Sequence, residues 1–459
     1  MDKNSELGTA KIPRLLASYS ATTLAALLFN SLYTLADALF VSWGVGAAAL
    51  GGVSVAFPFV LIQSAVSTAL GGGAASIISR RLGEGKRGEA GAAALNAMIS
   101  FWVSALCIGG LGLLFMEPVL SALGAPLELR PYTRDYLTII MAGNLFSTGF
   151  SAIIRAEGRM KYALLIWVVP VSVNLILDPI FIFLLGWGVR GSAAATVICQ
   201  FTSFSLSIVF FTRFSSLSFK GARLRARTLA EILATGFPSL VQQGGMAAGL
   251  VITNNVLEGA GGGTAVTVYA YVNRIVAFAV MPFMAITQAL APIAGYNYGA
   301  GNHERLREAV RYSLLLALLW AALSLAAGEL LPRQLLALFT ADQAILAAAL
   351  RVLRICALVI PCYPMAMIAG AVRQAQGKKG SALLLYSLQI LFLIPALFLG
   401  RTLGGLDGIW RAIPAAGFCA TAASGAALLG GPRFPHRMAA EEPGPVLGGS
   451  KAGSLAKDP

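Results

Sequence analysis

Long apolar runs with almost no internal charge constrain this chain more than anything else in it. A membrane helix needs roughly 20 mostly apolar residues. Twelve stretches meet that length: 15–43, 50–78, 92–116, 132–154, 162–186, 191–212, 229–257, 264–293, 310–331, 345–371, 380–400 and 406–429. Barrel strands would alternate apolar and polar residues, and these runs do not. A water-soluble fold is excluded as well. Of 459 residues 57% are hydrophobic and 12% charged, about half the roughly 25% charge of a soluble domain. The 50 glycines suit close packing between membrane helices. The first run is too long for a signal-peptide core and lacks a convincing cleavage site, so it counts as a span. The expectation is an all-α polytopic membrane protein with twelve transmembrane helices.

Basic residues set its orientation, because Lys and Arg accumulate in cytoplasmic loops. With a cytoplasmic N-terminus, the inside connections carry 21 Lys and Arg, from Lys3, Lys11 and Arg14 through to Arg373, Lys378 and Lys379. The outside ones carry 5: Arg130, Arg134, Arg190, Arg333 and Arg401. Both termini are therefore expected on the cytoplasmic side of the membrane. The net charge of +14 reads as loop anchoring and calls for no nucleic acid. The five cysteines lie in apolar runs without a CxxC pair and read as packed free thiols. Two histidines cannot assemble a His-based metal site. Residues 431–459, rich in Pro, Gly and Ser, read as a disordered cytoplasmic tail.

The halves repeat. Gly83-Glu84-Gly85 returns as Gly299-Ala300-Gly301, Gly188 and Gly191 as Gly405 and Gly408, and Gly158 as Gly377. Six spans per half is an even number, so both halves enter from the same side. That predicts parallel repeats, an arrangement used by transporters: an N-lobe at 1–212, a basic linker at 213–228 and a C-lobe at 229–430. Duplication about a central interface points to alternating access rather than to a receptor or an enzyme.

The carboxylates break the symmetry. Of twenty, Asp37 and Asp178 alone lie well inside a span. An ionised carboxylate at a helix centre costs about 2.5–3.5 kcal/mol on insertion scales, so it faces a cavity or holds a proton or cation. The repeat places Thr253 to Val256 opposite Asp37 and Ile394 to Leu397 opposite Asp178, without an acid in either window. Either the two acids are hydrogen-bonded glue between helices or they form a coupling-ion site. Asn174 stands four residues before Asp178 on one helical face. Pro179 follows, and a proline disturbs backbone bonding one turn earlier. Asp, Asn and freed carbonyls suit H⁺ or Na⁺, and two such carboxyls would titrate as a pair.

Weaker signals surround these. Asn30 and Tyr33 share the face of Asp37. Asn144, Ser147 and Ser151 form a polar stripe that lines a cavity or bonds a neighbouring helix. Gln242 and Gln243 follow Pro238 and offer a polar face to a cavity in the second half. Methionines and phenylalanines read mostly as core or lipid-facing, with a few that could offer a soft surface to aromatic compounds. Gly71-Gly72-Gly73 lacks the Lys-Ser/Thr of a phosphate loop and reads as helix packing.

Several motifs together resemble one family. They are Leu32-Tyr33-Thr34-Leu35-Ala36-Asp37-Ala38-Leu39-Phe40-Val41, Ser79 through Gly85, Ile154-Arg155-Ala156-Glu157-Gly158, Asn174 through Phe183, Ala194 through Ile198, and Pro292-Ile293-Ala294-Gly295-Tyr296-Asn297-Tyr298-Gly299-Ala300. In order and spacing over roughly 12–429 they resemble the multidrug and toxic compound extrusion (MATE) transporters, in the bacterial subgroup like MepA and DinF. The resemblance implies a V of two six-helix lobes and antiport of cationic or amphipathic organic compounds against H⁺ or Na⁺. It also implies an N-lobe ion site, which falls here on Asp37, Asn174, Asp178 and Thr196. One departure stands out: Tyr19-Ser20 is followed by Ala21-Thr22-Thr23, where members often carry a proline.

The expected protein is thus a secondary antiporter, probing its substrates from a lipid bilayer as a monomer, with no cofactor beyond the coupling ion. The rival within the same superfamily is a lipid-linked oligosaccharide flippase, which should prefer a basic cavity. A membrane enzyme would need clustered His, Asp or Glu near an interface. A passive channel would not concentrate its substrate.

Overall fold

A computed structural model describes residues 4–146, 149–340 and 342–429. All regular elements among them are helical. Inside a bilayer each unpaired backbone group costs several kcal/mol, and a helix satisfies its own. Ten helical stretches are long and apolar enough to cross a membrane. Two of these are double, broken at Gly262 and at Gly405, so twelve crossings result. They are α1 (Ile12–Gly44), α2 (Ala47–Gly83), α3 (Arg87–Leu114), α4 (Arg130–Ala156), α5 (Met160–Leu184), α6 (Val189–Arg213), α7 (226–261), α8 (263–299), α9 (His303–Leu330), α10 (Gln343–Ala375), α11 (379–404) and α12 (406–429).

The duplication is written into the backbone. Gly188 enters α6 with φ 58° and ψ −133°, and Gly405 enters α12 with φ 56° and ψ −133°. Gly46 before α2 and Gly262 before α8 both take positive φ, 115° and 65°. At these abrupt reversals only glycine adopts such angles without steric cost.

Two spans are not continuous. α4 is interrupted by a tight turn at Asn144–Phe146 and α10 by another at Ile360–Cys362, again 216 residues apart. The apolar runs 132–154 and 345–371 gave no sign of this. Pro361 cannot donate a backbone bond, and the Thr421 hydroxyl takes up the Cys362 carbonyl at 3.0 Å. At the first break Asn144 Nδ2 donates to the Ala105 carbonyl at 2.9 Å, while Gln63 donates to Asn144 Oδ1. The cysteines also differ from expectation. Cys356 and Cys362 are buried, whereas Cys107 and Cys419 lie on exposed helix surface.

The halves join at the end that carries the basic loops. There α2 crosses α8 backbone to backbone, with Gly83 on Tyr296 and Gly299 on Arg80, and Gly73 and Gly236 bring α2 against α7 in the same way. A Cβ at any of these four would collide with a main chain, which is the close approach that small residues permit. Ser76 Oγ donates to the Gln374 carbonyl at 2.6 Å, and Arg80 reaches the Gln376 carbonyl at 3.4 Å and Glu231 at 3.6 Å. The segment between the halves is docked too. Glu157 is fully buried and accepts from Ser215 Oγ at 2.9 Å and from Ser216 N–H at 2.8 Å. Asn96 holds the Arg223 carbonyl and the Arg225 N–H. Toward the opposite end, Leu32, Leu35 and Ile62 are largely exposed.

Candidate functional site

Three helices of the first half each contribute side chains four residues apart, and the three pairs converge. Residues at i and i+4 share a helical face: Tyr33 and Asp37 on α1, Asn174 and Asp178 on α5, Ser192 and Thr196 on α6. Ser192 Oγ donates to Asp37 Oδ1 at 2.8 Å. The Tyr33 and Thr196 hydroxyls are 3.2 Å apart. With its amide turned to satisfy both ends, Asn174 Nδ2 donates to Asp178 Oδ2 at 2.8 Å and its oxygen accepts the Thr196 N–H at 3.2 Å. Tyr136 of α4, buried, closes the fourth side against Thr196.

The Asp37 and Asp178 carboxyls face one another side chain to side chain. Asn174 and Asp178 are fully buried, while Asp37 is partly buried. Two ionised carboxylates in contact offer acceptors and no donor. Asp178 Oδ1 is buried and has no hydrogen-bond partner, a costly condition for a charged oxygen. A proton shared between the two groups, or a small cation held by them, removes that cost. Carboxylates and hydroxyls are hard oxygen donors, which suit Na⁺ as well as H⁺.

Local sequence explains the placement. Pro170 leaves the Ile166 carbonyl without its helical donor, and Ser203 of α6 bonds it at 3.3 Å, tying α5 to α6. After Pro179 the helix widens into a π turn at Ile180–Leu184, a feature common at functional sites. Asp37 lies seven residues before the end of α1 at Gly44, about 10 Å from it along the helix. The acids therefore sit in the half of the spans remote from the basic loops, nearer that end than mid-membrane.

The other candidate residues stand apart. Asn30 is half-buried on α1. Asn144 is buried and spent on holding the α4 break. Ser151 accepts from Arg155 Nη1 at 3.3 Å, and Ser147 lies outside the described residues. Gln242 and Gln243 are half-buried on α7, in the opposite half. Ser192 and Tyr136 were not anticipated. Ser192 was within reach, standing one turn before Thr196; nothing in the sequence marks Tyr136.

Comparison with known proteins agrees with this architecture. The MatE family profile matches twice, over residues 23–180 and 238–399, the two halves of the repeat. An FAD transporter of Shewanella oneidensis is 26% identical over 432 residues, 88% of this chain and 92% of that protein. The multidrug export protein MepA of Staphylococcus aureus is 26% identical over 423 residues, 88% of this chain and 91% of its own. Among solved structures, an outward-facing multidrug resistance MATE transporter of the MOP superfamily superposes with a TM-score of 0.85 at 26% identity, covering 91% of this chain and 95% of that one. A MOP superfamily transporter from Pyrococcus furiosus, described as having a binding pocket of reverse polarity and a different function, superposes at 0.84 with 25% identity and the same coverage. With both halves of its repeat matched and its whole helical frame shared with such proteins, the chain belongs to the MatE family of membrane transporters.

Proposed function

We propose that the protein exports cationic or amphipathic organic compounds in exchange for H⁺ or Na⁺ entering through Asp37 and Asp178. The observation that carries this reading is the unpartnered, buried Asp178 Oδ1 beside a second carboxyl. With Asn174 and Thr196 completing the donor set, an arriving cation neutralises the pair and relaxes the fit for a positively charged substrate. The basic-loop asymmetry puts the sealed seam on the cytoplasmic side, so this conformation opens outward and both termini lie inside the cell. In this reading residues 1–212 and 229–430 are the two lobes, and a monomer suffices. A membrane potential adds about 2.3 kcal/mol per charge per 100 mV. Similarity to MepA supports the breadth of substrate, and an acidic rather than basic site argues against an oligosaccharide flippase.

A second reading is a flavin-nucleotide cargo, as in the relative named an FAD transporter. It is favoured by Arg155, half-buried at the end of α4 and bonded to the Ser151 hydroxyl, with no carboxylate partner among the described residues. The test is transport in proteoliposomes of a fluorescent organic cation and, separately, of FAD, with pH and Na⁺ gradients imposed one at a time. Cation accumulation driven by either gradient is the expected result. Uptake indifferent to both gradients would sink the antiport reading.

A further inference from the structure

A basic groove lies in the second half, away from the acid cluster. Arg351 and Arg354 stand three residues apart on the exposed face of α10, and Arg411 on the exposed face of α12. With Ala347, Leu350 and Ile355 they line a space of about 470 Å³ between the two helices. Arg351 bonds Asp407 at 3.1 Å, and Arg354 is 4.0 Å from Glu329 at the end of α9. Both guanidinium side chains remain more than half exposed, at 62% and 58%. Arg411 has neither an ion pair nor a hydrogen bond among the described residues. Three guanidiniums thus meet two carboxylates.

The first half shows which of these charges the fold itself requires. There Asp135 of α4 pairs with Arg190 of α6 at 3.0 Å. The repeat carries Asp135 onto Arg351 and Arg190 onto Asp407, at offsets of 216 and 217. The same bond between the fourth and sixth spans is kept with its sign reversed. One turn deeper the first half has Thr138 where the second has Arg354, and Ala194 and Ala195 where it has Arg411. Arg354 and Arg411 are additions that joining the two helices does not demand.

Their depth says what they meet. Arg354 lies eleven residues past Gln343 and Arg411 six past Gly405, about 16 and 9 Å along their helices. Intramembrane arginines are costly and mark function by default. From this depth a guanidinium snorkels to the phosphate level of the bilayer, and its fork suits phosphate oxygens. The groove is bounded by α10 and α12 with α9 at its rim, not by the seam helices α1, α2, α7 and α8, so it opens toward lipid. We propose that it binds the phosphate of an anionic phospholipid through Arg354 and Arg411, with Leu350 and Ile355 against the acyl chain. The surplus positive charge disfavours a choline headgroup, whose quaternary ammonium would sit beside it.

The experiment is native mass spectrometry of the full chain titrated with phosphatidylglycerol or phosphatidylcholine, with melting curves alongside. The wild type should retain one phosphatidylglycerol with about tenfold preference over phosphatidylcholine. R354Q/R411Q should lose that preference while melting within a few degrees of wild type in phosphatidylcholine. R354K/R411K, which keeps the charge without the fork, should fall between them and guards against a misfolded glutamine variant. Equal retention of both lipids by the wild type, or an unchanged preference in R354Q/R411Q, overturns the proposal. Inorganic phosphate alone raising the melting temperature as much as phosphatidylglycerol would assign the groove to free phosphate and overturn it too.

Discussion

The same helix crossing occurs in both halves with opposite chemistry. In the first, α1 meets α5 through Tyr33 and Asp37 against Asn174 and Asp178. In the second, the repeat-related positions on α7 are Gly249 and Thr253. A side chain added at Gly249 would lie 3.3 Å from both Ile390 and Leu393 of α11. Thr253 donates its hydroxyl to the Gly249 carbonyl of its own helix at 2.7 Å and meets the Tyr269 hydroxyl of α8. Glycine against isoleucine and leucine makes an apolar contact with no carboxylate in it. Tyrosine, two aspartates and an asparagine make a polar contact that leaves one buried carboxylate oxygen, Asp178 Oδ1, without a hydrogen-bond partner. A duplicated frame thus carries two chemistries: one crossing is mainly apolar packing and the other brings two ionisable groups together.

That contrast can be broken by mutation. The largest effect is expected from Asp178→Asn and Asp37→Asn, each lowering gradient-driven efflux about tenfold or more, or at least about 1.4 kcal/mol, with protein yield unchanged. Undiminished efflux in both variants would take the acids out of the mechanism. A sharper version moves the charge across the repeat. Asp37→Asn combined with Thr253→Asp should stay inactive, because the new carboxylate meets the Tyr269 hydroxyl but has neither a second carboxyl nor counterparts of Asn174 and Ser192 beside it. Recovery of dye efflux in that double variant would mean that position alone, without its partners, makes the site.

A smaller effect is expected from Ser192→Ala. It removes one hydrogen bond to Asp37, about 1 kcal/mol, and should reduce efflux several-fold, where a purely structural serine would change only the melting temperature. The mildest test concerns a second pair related by the repeat, Glu157 and Gln376. Burial raises the Glu157 carboxyl above its ordinary value near 4.5, against the opposing pull of the Ser216 N–H and the two serine hydroxyls. A group whose folded value is raised contributes most at low pH and loses that contribution as pH rises through the folded value. The melting temperature of the wild type, relative to Glu157→Gln, should therefore fall between pH 5 and pH 8. A flat difference would mean that Glu157 is not carrying the proton.

Much of this was legible in the residues. Apolar run length gave twelve crossings, and the glycine pattern gave the duplication, since both follow from local chemistry: hydrocarbon thickness for one, positive φ for the other. Asp37 and Asp178 stood out because charge is expensive in those runs. Asn144 was ambiguous, because a polar residue in a span lines a cavity or bonds a neighbour according to packing that only the fold reveals. The breaks in α4 and α10 were hidden for the same reason. Their bonds come from Asn144, Gln63 and Thr421, side chains distant in sequence or silent in periodicity.

Sequence by itself determined that this chain lives in a bilayer as a duplicated set of helices with two acids well inside the spans of one half alone, because solvation penalties act residue by residue. Tertiary structure alone decided that three i, i+4 pairs meet, that Tyr136 closes over them, and that Gly83 and Gly299 let the halves touch at one end. Those outcomes depend on how helices pack across hundreds of residues, and side-chain bonds between helices are too short-ranged to be read from spacing along any single one.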